Sequence, residues 1–324
     1  MKRIVGIIAI LSSPLVFISV ELAIGFIQFE LWCLLSIIYI PSLIIIAIIM
    51  KKLRLFIFLC FLSTLAPTYG IQPKIGLALG GGGAKGAATI GALRVIEQSN
   101  IKIDYIAGTS IGAVIGGLYA SGFTLDEIER FLFSLNEIDA LDINYIESEM
   151  RRLLRNRGCE YIQNTRIPFR CVATDADNLK EHVLSEGKLY KAILASMSIP
   201  VLYPFVQWGR FALYDGGLVN NLPVDVVKSM GADIVIAIDL QQNEDDGLQI
   251  PSIGLGGIFD TLADWSSSRP DKKKYRLNVK AADIYIHPNL IGYDATSFGR
   301  HNCEIMRKKG ETEAQKHLNE IKKL

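Results

Sequence analysis

Histidine is scarce in this chain of 324 residues: only His182, His287, His301 and His317 occur. That shortage narrows nucleophilic catalysis, because the side chain most often used as a general base has four places to come from. Cysteine is hardly better represented. Cys33 and Cys60 fall in an apolar leader, and Cys159, Cys171 and Cys303 lie beyond it with no metal-ligand spacing. Three thiols in the globular part argue against a disulfide framework and leave the compartment open. An excess of charge is missing too. The formal net charge of +1 supplies no global field for nucleic acid or for acidic partners.

Charge is almost absent from the first fifty residues, where Glu21 and Glu30 are the only charged side chains between Ile4 and Met50. Ile4–Val20 and Leu31–Met50 each approach the roughly 20 apolar residues that cross a hydrocarbon core as a helix. Lys2 and Arg3 precede the first, and Lys51, Lys52 and Arg54 follow the second. Positive flanks at both ends predict a transmembrane hairpin with both ends cytoplasmic. A second layout overlaps it. Met50 to Arg54 forms a basic start, Leu55–Ala66 a shorter apolar run, and small and turn residues follow up to Gly70, as in a secretory signal peptide with Met50 as an alternative start. Either layout predicts a membrane-associated or exported protein, not a purely cytosolic one. Composition turns globular near Pro67, Gly70 and Pro73. The expected division is a leader over 1–70, a catalytic domain over 71–300 and a polar C-terminal helix over 301–324.

Beyond residue 71, short apolar runs alternate with helical patterns. Ile75–Leu79, Asp104–Ala107, Phe169–Thr174, Phe211–Tyr214, Asp233–Leu240 and Ile284–His287 read as strands. Lys85–Gln98, Ile111–Ser121, Thr124–Leu135, Lys188–Met197, Val224–Met230 and Glu304–Lys323 read as helices, with Thr124 as an N-cap. Residues 139–166 are charged and give no clear period, and Gln241–Gly257 reads as a surface loop. Strands alternating with helices predict a mostly parallel sheet covered on both faces.

Three constellations carry chemistry. Gly108-Thr109-Ser110-Ile111-Gly112 follows a predicted strand and opens a predicted helix, the setting in which a serine stands exposed on a strained turn. Gly80 to Gly83 with Ala84, Lys85 and Gly86 forms a second strand-to-helix turn, whose free N–H groups can stabilise an oxyanion. Asp215-Gly216-Gly217 closes a strand, and its carboxylate can take the serine proton directly or orient a hydroxyl. Two rival readings bear on the glycine turn. Gly81, Gly83 and Gly86 have the spacing of a dinucleotide fingerprint, with Asp104 at about the right distance, but that acid belongs at the end of its strand and Asp104 begins one. A phosphate loop needs Ser or Thr after its lysine, and Gly86 follows Lys85. By chain order alone, His287 fits the histidine slot of a Ser-Asp-His triad.

Taken together, these blocks resemble the patatin-like phospholipase family, and the bacterial members in particular. The likeness rests on Gly81 to Gly86, on Gly108 to Gly112, and on Asp215-Gly216-Gly217 continuing through Leu218 to Val224. Ala195 to Pro200, Pro204 to Val206 and Cys171 to Asp175 add to it, so that it spans residues 74–292. The resemblance implies a three-layer α/β/α fold with a mostly parallel central sheet, preceded here by the apolar leader. It implies a Ser110–Asp215 dyad without histidine and an oxyanion hole from the N–H groups of Gly82, Gly83 and Lys85. It also implies an acyl-enzyme route for hydrolysing carboxylic esters of phospholipids or lysophospholipids, with a membrane surface as partner and no cofactor, metal or nucleic acid. A lipid-binding protein without turnover on the same scaffold is the alternative, with nucleotide binding behind it. One departure stands out: the stretch from Leu135 to Phe169 is short and charged where relatives carry a longer apolar portion that shapes the acyl pocket.

Overall fold

The computed structural model describes residues 14–64, 72–242 and 271–324. The chain divides into two compact units, Met1–Ile71 and Gln72–Leu324.

The first unit contributes one helix, α1 (Pro14–Thr64), with Pro41 inside it and with large apolar side chains exposed between Ile18 and Leu59. Residues Ile18–Cys60 within it are long and apolar enough to cross a membrane by length and composition. The expected hairpin is not formed, since the helix runs unbroken through residues 21–30, where a turn would be needed. That stretch holds no proline and only one glycine, Gly25, so helix propensity carries straight through it. At about 1.5 Å per residue, 51 helical residues exceed twice a hydrocarbon core of about 30 Å. Residues 4–13 and 65–70, parts of the first expected span and of the signal-like segment, lie outside the described residues.

The second unit is built on one sheet of eight strands: β1 (Ile75–Leu79), β2 (Tyr105–Thr109), β3 (Phe169–Asp175), β4 (Lys180–Leu184), β5 (Val206–Trp208), β6 (Phe211–Asp215), β7 (Ile234–Ile238) and β8 (Ile284–Ile286). Their order is β5-β6-β3-β2-β1-β7-β8, with β4 also paired to β3. The β3-β2-β1-β7-β8 block is parallel, and the pairs β3–β4, β3–β6 and β5–β6 are antiparallel. The parallel strands are apolar runs because helices cover both faces.

Alternation along the strands separates two cores. Leu77, Leu79, Ile106, Ile236 and Ile238 belong to the larger, with α2 (Gly86–Gln98), α3 (Ile111–Ala120), α4 (Leu125–Ser134), α6 (Ile143–Arg157), α7 (Leu189–Met197) and α10 (Arg300–Ile321). Ala78, Ala107, Val235 and Ala237, one position out of phase, belong to the smaller, with α8 (Val224–Ser229) and α9 (Lys272–Ala281). A side-chain period of two on flat strands thus produces three layers, helix, sheet and helix. Between α4 and α6 lies the short α5 (Glu137–Leu141).

Two departures from the sequence reading have local causes. The charged stretch after Leu135 is helical: Asn136 and Asp142 cap α5 and α6 through their side chains, and Gly158, at φ 71°, closes α6. Only Ile146, Met150 and Leu154 of α6 are buried, a stripe too narrow to stand out among its arginines and glutamates. The C-terminal helix belongs to the same unit as the sheet, not to a separate element. Its Cys303, Met306, Gly310, Ala314 and Ile321 are buried, and a Cβ on Gly310 would lie 1.9 Å from the Ala88 carbonyl oxygen of α2.

Candidate active site

Register brings the key residues together. On one edge of β3, Val172 pairs with Thr109 of β2 and Ala173 pairs with Asp215 of β6. The opposite edge of β3 is occupied by β4. Strands β2 and β6 therefore share one side of β3, run in opposite directions and meet end to end. The residue after β2 is Ser110, and the last residue of β6 is Asp215. Ser110 Oγ donates to Asp215 Oδ2 at 2.7 Å.

The serine sits on a strained elbow. Its φ of 54° and ψ of −124° lie outside the regions non-glycine residues favour, a cost of about 1–3 kcal/mol that its surroundings must offset. Those surroundings are specific. Ser110 N–H donates to Ser196 Oγ at 3.0 Å, and the Ser196 hydroxyl passes on to Val172 O at 2.6 Å. Thr109 Oγ1 donates to Asn220 O at 2.8 Å. Gly112 lets helix α3 start hard against β1, since a Cβ there would meet Leu79 O at 2.1 Å.

Asp215 is 1% exposed. Burial pushes its carboxyl up to about 7, opposed by the hydrogen bonds from Gly217 N–H, at 2.7 Å to Oδ1, and from Ser110. A carboxylate raised toward neutrality is a stronger base than a solvated one, while enough of it stays ionised to accept a proton.

The glycine turn after β1 faces the same point. Gly80 N–H and Gly81 N–H are taken by Ile238 O and Asn221 O, Ala84 N–H by Ala295 O, and Lys85 N–H by Gly82 O. Lys85 N–H therefore closes the short turn Gly83–Lys85 instead of joining the expected oxyanion donors. Gly82 and Gly83 remain, both lining the cavity that also holds Ser110 and Asp215. Gly83 has φ 58° and packs so closely on Ala295 that a Cβ would meet its carbonyl oxygen at 2.3 Å. Of the flanking motif glycines, Gly81 lines the cavity, Gly86 opens α2, Gly108 lies in β2, and Gly216 and Gly217 form the turn after β6.

The cavity holds about 1270 Å³. One wall is apolar, with Val114, Phe131, Leu135, Ala140 and Ile146 from α3 to α6. Another part of the wall mixes Asn221, Gln241 and Gln242 with the segment from Ile291 to Phe298. Apolar lining around a few convergent polar groups is the composition of a site for an amphiphile.

No histidine reaches the dyad. Nε2 of His287 lies 2.5 Å from Gln241 O, and the ring stacks on Tyr285. His182 packs on Phe211, His301 is exposed, and His317 pairs with Glu320. Asp104 accepts from Ile75 N–H, at the beginning of β1 and the far end of that strand from the glycine turn. The dinucleotide geometry is therefore absent.

Two groups fall outside the site residues expected from the sequence. Ser196 was readable only as part of the Ala195 to Pro200 block, and its hydroxyl is what meets the Ser110 backbone. The polar wall, with Gln241 and the Ile291–Phe298 segment, comes from loops after β7 and β8, at the carboxyl ends of parallel strands where ligands gather in such sheets.

Residues 77–228 match the family model described as Patatin-like phospholipase. Lysophospholipase NTE1 of Pyricularia oryzae is 30% identical over 259 residues, which cover 70% of this chain and 17% of that protein. Patatin-like phospholipase domain-containing protein ZK370.4 of Caenorhabditis elegans is 36% identical over 206 residues, covering 57% of this chain and 15% of that protein. The chain thus spans less than a fifth of the length of these curated relatives. They are eukaryotic and lend no support to a specifically bacterial likeness. Among solved structures, VipD from Legionella pneumophila is 12% identical with a TM-score of 0.46, covering 77% of this chain and 67% of that one.

Proposed function

We propose that the patatin-like phospholipase domain carried by this chain is a serine hydrolase of acyl-lipid esters, with Ser110 as nucleophile and Asp215 as its base. The observation that carries this reading is the 2.7 Å hydrogen bond from Ser110 Oγ to a buried carboxylate, on the floor of a large, partly apolar cavity.

Ser110 Oγ attacks the ester carbonyl carbon as Asp215 Oδ2 takes the hydroxyl proton. The carbonyl oxygen becomes an oxyanion that receives the N–H groups of Gly82 and Gly83. The start of α3 adds its positive dipole. As the tetrahedral centre collapses, Asp215 gives its proton to the departing alcohol and the acyl group stays on Ser110. Water then attacks with Asp215 again as base, and as the tetrahedral centre collapses Asp215 returns that proton to Ser110 Oγ and the fatty acid leaves. The apolar wall from α3 to α6 accepts the acyl chain, and the polar wall faces the alcohol portion. The fungal relative is named a lysophospholipase, so a long-chain monoacyl phospholipid is the first substrate to try.

The test is turnover of lysophosphatidylcholine and labelling by a fluorophosphonate, with the full chain and its Ser110→Ala variant. Wild type is expected to release fatty acid and to take one label, and the variant to do neither while keeping its melting temperature. Equal fatty-acid release by both proteins would refute the assignment.

A further inference from the structure

The cavity mouth has an unusual edge. Among the described residues of the second unit, nine large apolar side chains are exposed, and five of them come from three segments that line the cavity. Ile138 is 79% exposed on α5, Leu202 52% and Phe205 49% on the segment after α7, and Ile291 74% after β8. Val201, the fifth, has φ 76°, a conformation that β-branched residues almost never adopt. Leu202 and Ile291 themselves line the cavity, and the Tyr203 hydroxyl donates to Ala140 O, which joins the strained segment after α7 to α5. Ser198 to Val206 contains no charged residue, although exposed loops are normally polar. Lys309 lies beside the edge, its Nζ 2.9 Å from Asn289 O and 6.0 Å from the Tyr293 ring centroid.

Clustered exposed apolar groups mark a surface that meets something apolar. We propose that this edge docks on a phospholipid bilayer, with Ile138, Leu202, Phe205 and Ile291 entering the boundary between headgroups and acyl chains and Lys309 meeting the phosphates. The inference rests on the reading that the cavity hydrolyses lipid esters, and it adds how the ester arrives. A bilayer suits the edge better than a protein does. The apolar groups sit on separate short segments around an opening, and the opening leads to a cavity with an apolar wall. The geometry lets a lipid pass from the bilayer to Ser110 with its acyl chain shielded from water throughout.

The experiment uses the full chain in nanodiscs of phosphatidylcholine with phosphatidylglycerol, loaded with lysophosphatidylcholine as the lipid to be cleaved. A double variant, Ile138→Glu with Phe205→Glu, alters two edge residues that do not line the cavity. Hydrolysis of the nanodisc lipid is expected to fall at least about tenfold, while hydrolysis of the water-soluble ester p-nitrophenyl butyrate stays within about twofold. Amide hydrogen exchange at residues 199–206 is expected to be slower in nanodiscs than in amphipol, and that protection to vanish in the variant. An equal fall on both substrates, or no fall on either, would overturn the proposal. So would light scattering in amphipol showing wild type as a dimer that the variant splits, because the edge would then belong to a second copy of the chain. If wild type hydrolyses neither substrate, the catalytic reading fails, and the exchange protection alone decides whether the edge docks.

Discussion

The floor and the mouth of the cavity are built on opposite terms. On the floor, Ser110 follows and Asp215 ends strands that abut along β3, and Ser196, Gly112 and Gly217 hold them through hydrogen bonds or direct backbone contact. At the mouth, α5 and the segments after α7 and β8 contribute exposed apolar side chains, and one tyrosine ties two of these pieces together. Backbone geometry is held tightly around Ser110 and Asp215, while the segments at the mouth present side chains to solvent. Substitutions on the floor should therefore change the rate on every ester, and substitutions at the mouth should change which ester is handled well.

The largest expected effect comes from Asp215→Asn. It is close to isosteric, it keeps an oxygen for Gly217 N–H, and it removes the base. A fall of about 10⁴ in kcat on both soluble and lipid esters is expected, on the scale of losing one member of a catalytic triad. The same variant should be more stable than wild type at neutral pH. Folded Asp215 holds its proton up to about 7 against an ordinary 3.8. Between those values the folded state binds more protons than the unfolded one, so this group's contribution to stability falls as pH rises and is lowest above about 7. Urea unfolding at pH 8 should show a gain of about 2–4 kcal/mol for the variant, shrinking to nothing near pH 4. A variant less stable at pH 8 would mean that the carboxylate is compensated by its hydrogen bonds.

The pH profile follows from the same group. Protonated Asp215 cannot take the serine proton, so kcat/KM should drop about tenfold per unit below pH 7 and level off above it. The slope should match on p-nitrophenyl butyrate and on lysophospholipid, because it belongs to the floor. Different apparent pKa values on the two esters would shift control to the mouth.

How much of this contrast was legible in the sequence follows the same line. The glycine turn, the serine elbow and Asp215 announce themselves because strain and close approach admit few residue types: Gly83 at φ 58° and Gly112 against Leu79 O leave little choice. Strands β1, β2 and β7 were readable as apolar runs buried on both faces. The mouth was not readable, since Ile138 and Ile291 sit among polar residues in short segments and only the folded chain brings them together. Helix α6 was hidden by its own charges, and the edge strand β4, Lys180–Leu184, by being largely exposed. The fate of the Lys85 N–H was likewise invisible, because its closure onto Gly82 O is a matter of backbone geometry, not residue type.

A smaller effect is expected at Ser196. Alanine there removes the partner of the part-buried Ser110 N–H and one donor to the buried Val172 O. The cost should be about 1–3 kcal/mol in stability and roughly tenfold in kcat with KM unchanged, as the elbow relaxes from its positive φ. Threonine, which keeps the hydroxyl, should recover much of the rate. A rise in KM with kcat intact would move Ser196 out of the floor and into substrate binding.

The smallest effect is expected at Tyr203. Its hydroxyl donates to Ala140 O, joining the segment after α7 to α5 across the mouth. Burial and the charge of Asp215 both hold its phenol above the usual range, so it stays neutral at any working pH. Tyr203→Phe removes one hydrogen bond, worth about 0.5–1.5 kcal/mol net, and leaves the ring in place. Because the hydrogen bond joins two lining segments and is made to neither Ser110 nor Asp215, the loss should fall on KM for long-chain esters, by about threefold, with p-nitrophenyl butyrate turnover unmoved. A loss of kcat on the small ester as large as that of Ser196→Ala would erase the distinction between a rigid floor and a permissive mouth. It would make the segment after α7 part of the machinery that holds the dyad, a role its backbone already hints at through Ser198 O, which accepts the Asp215 N–H at 2.8 Å.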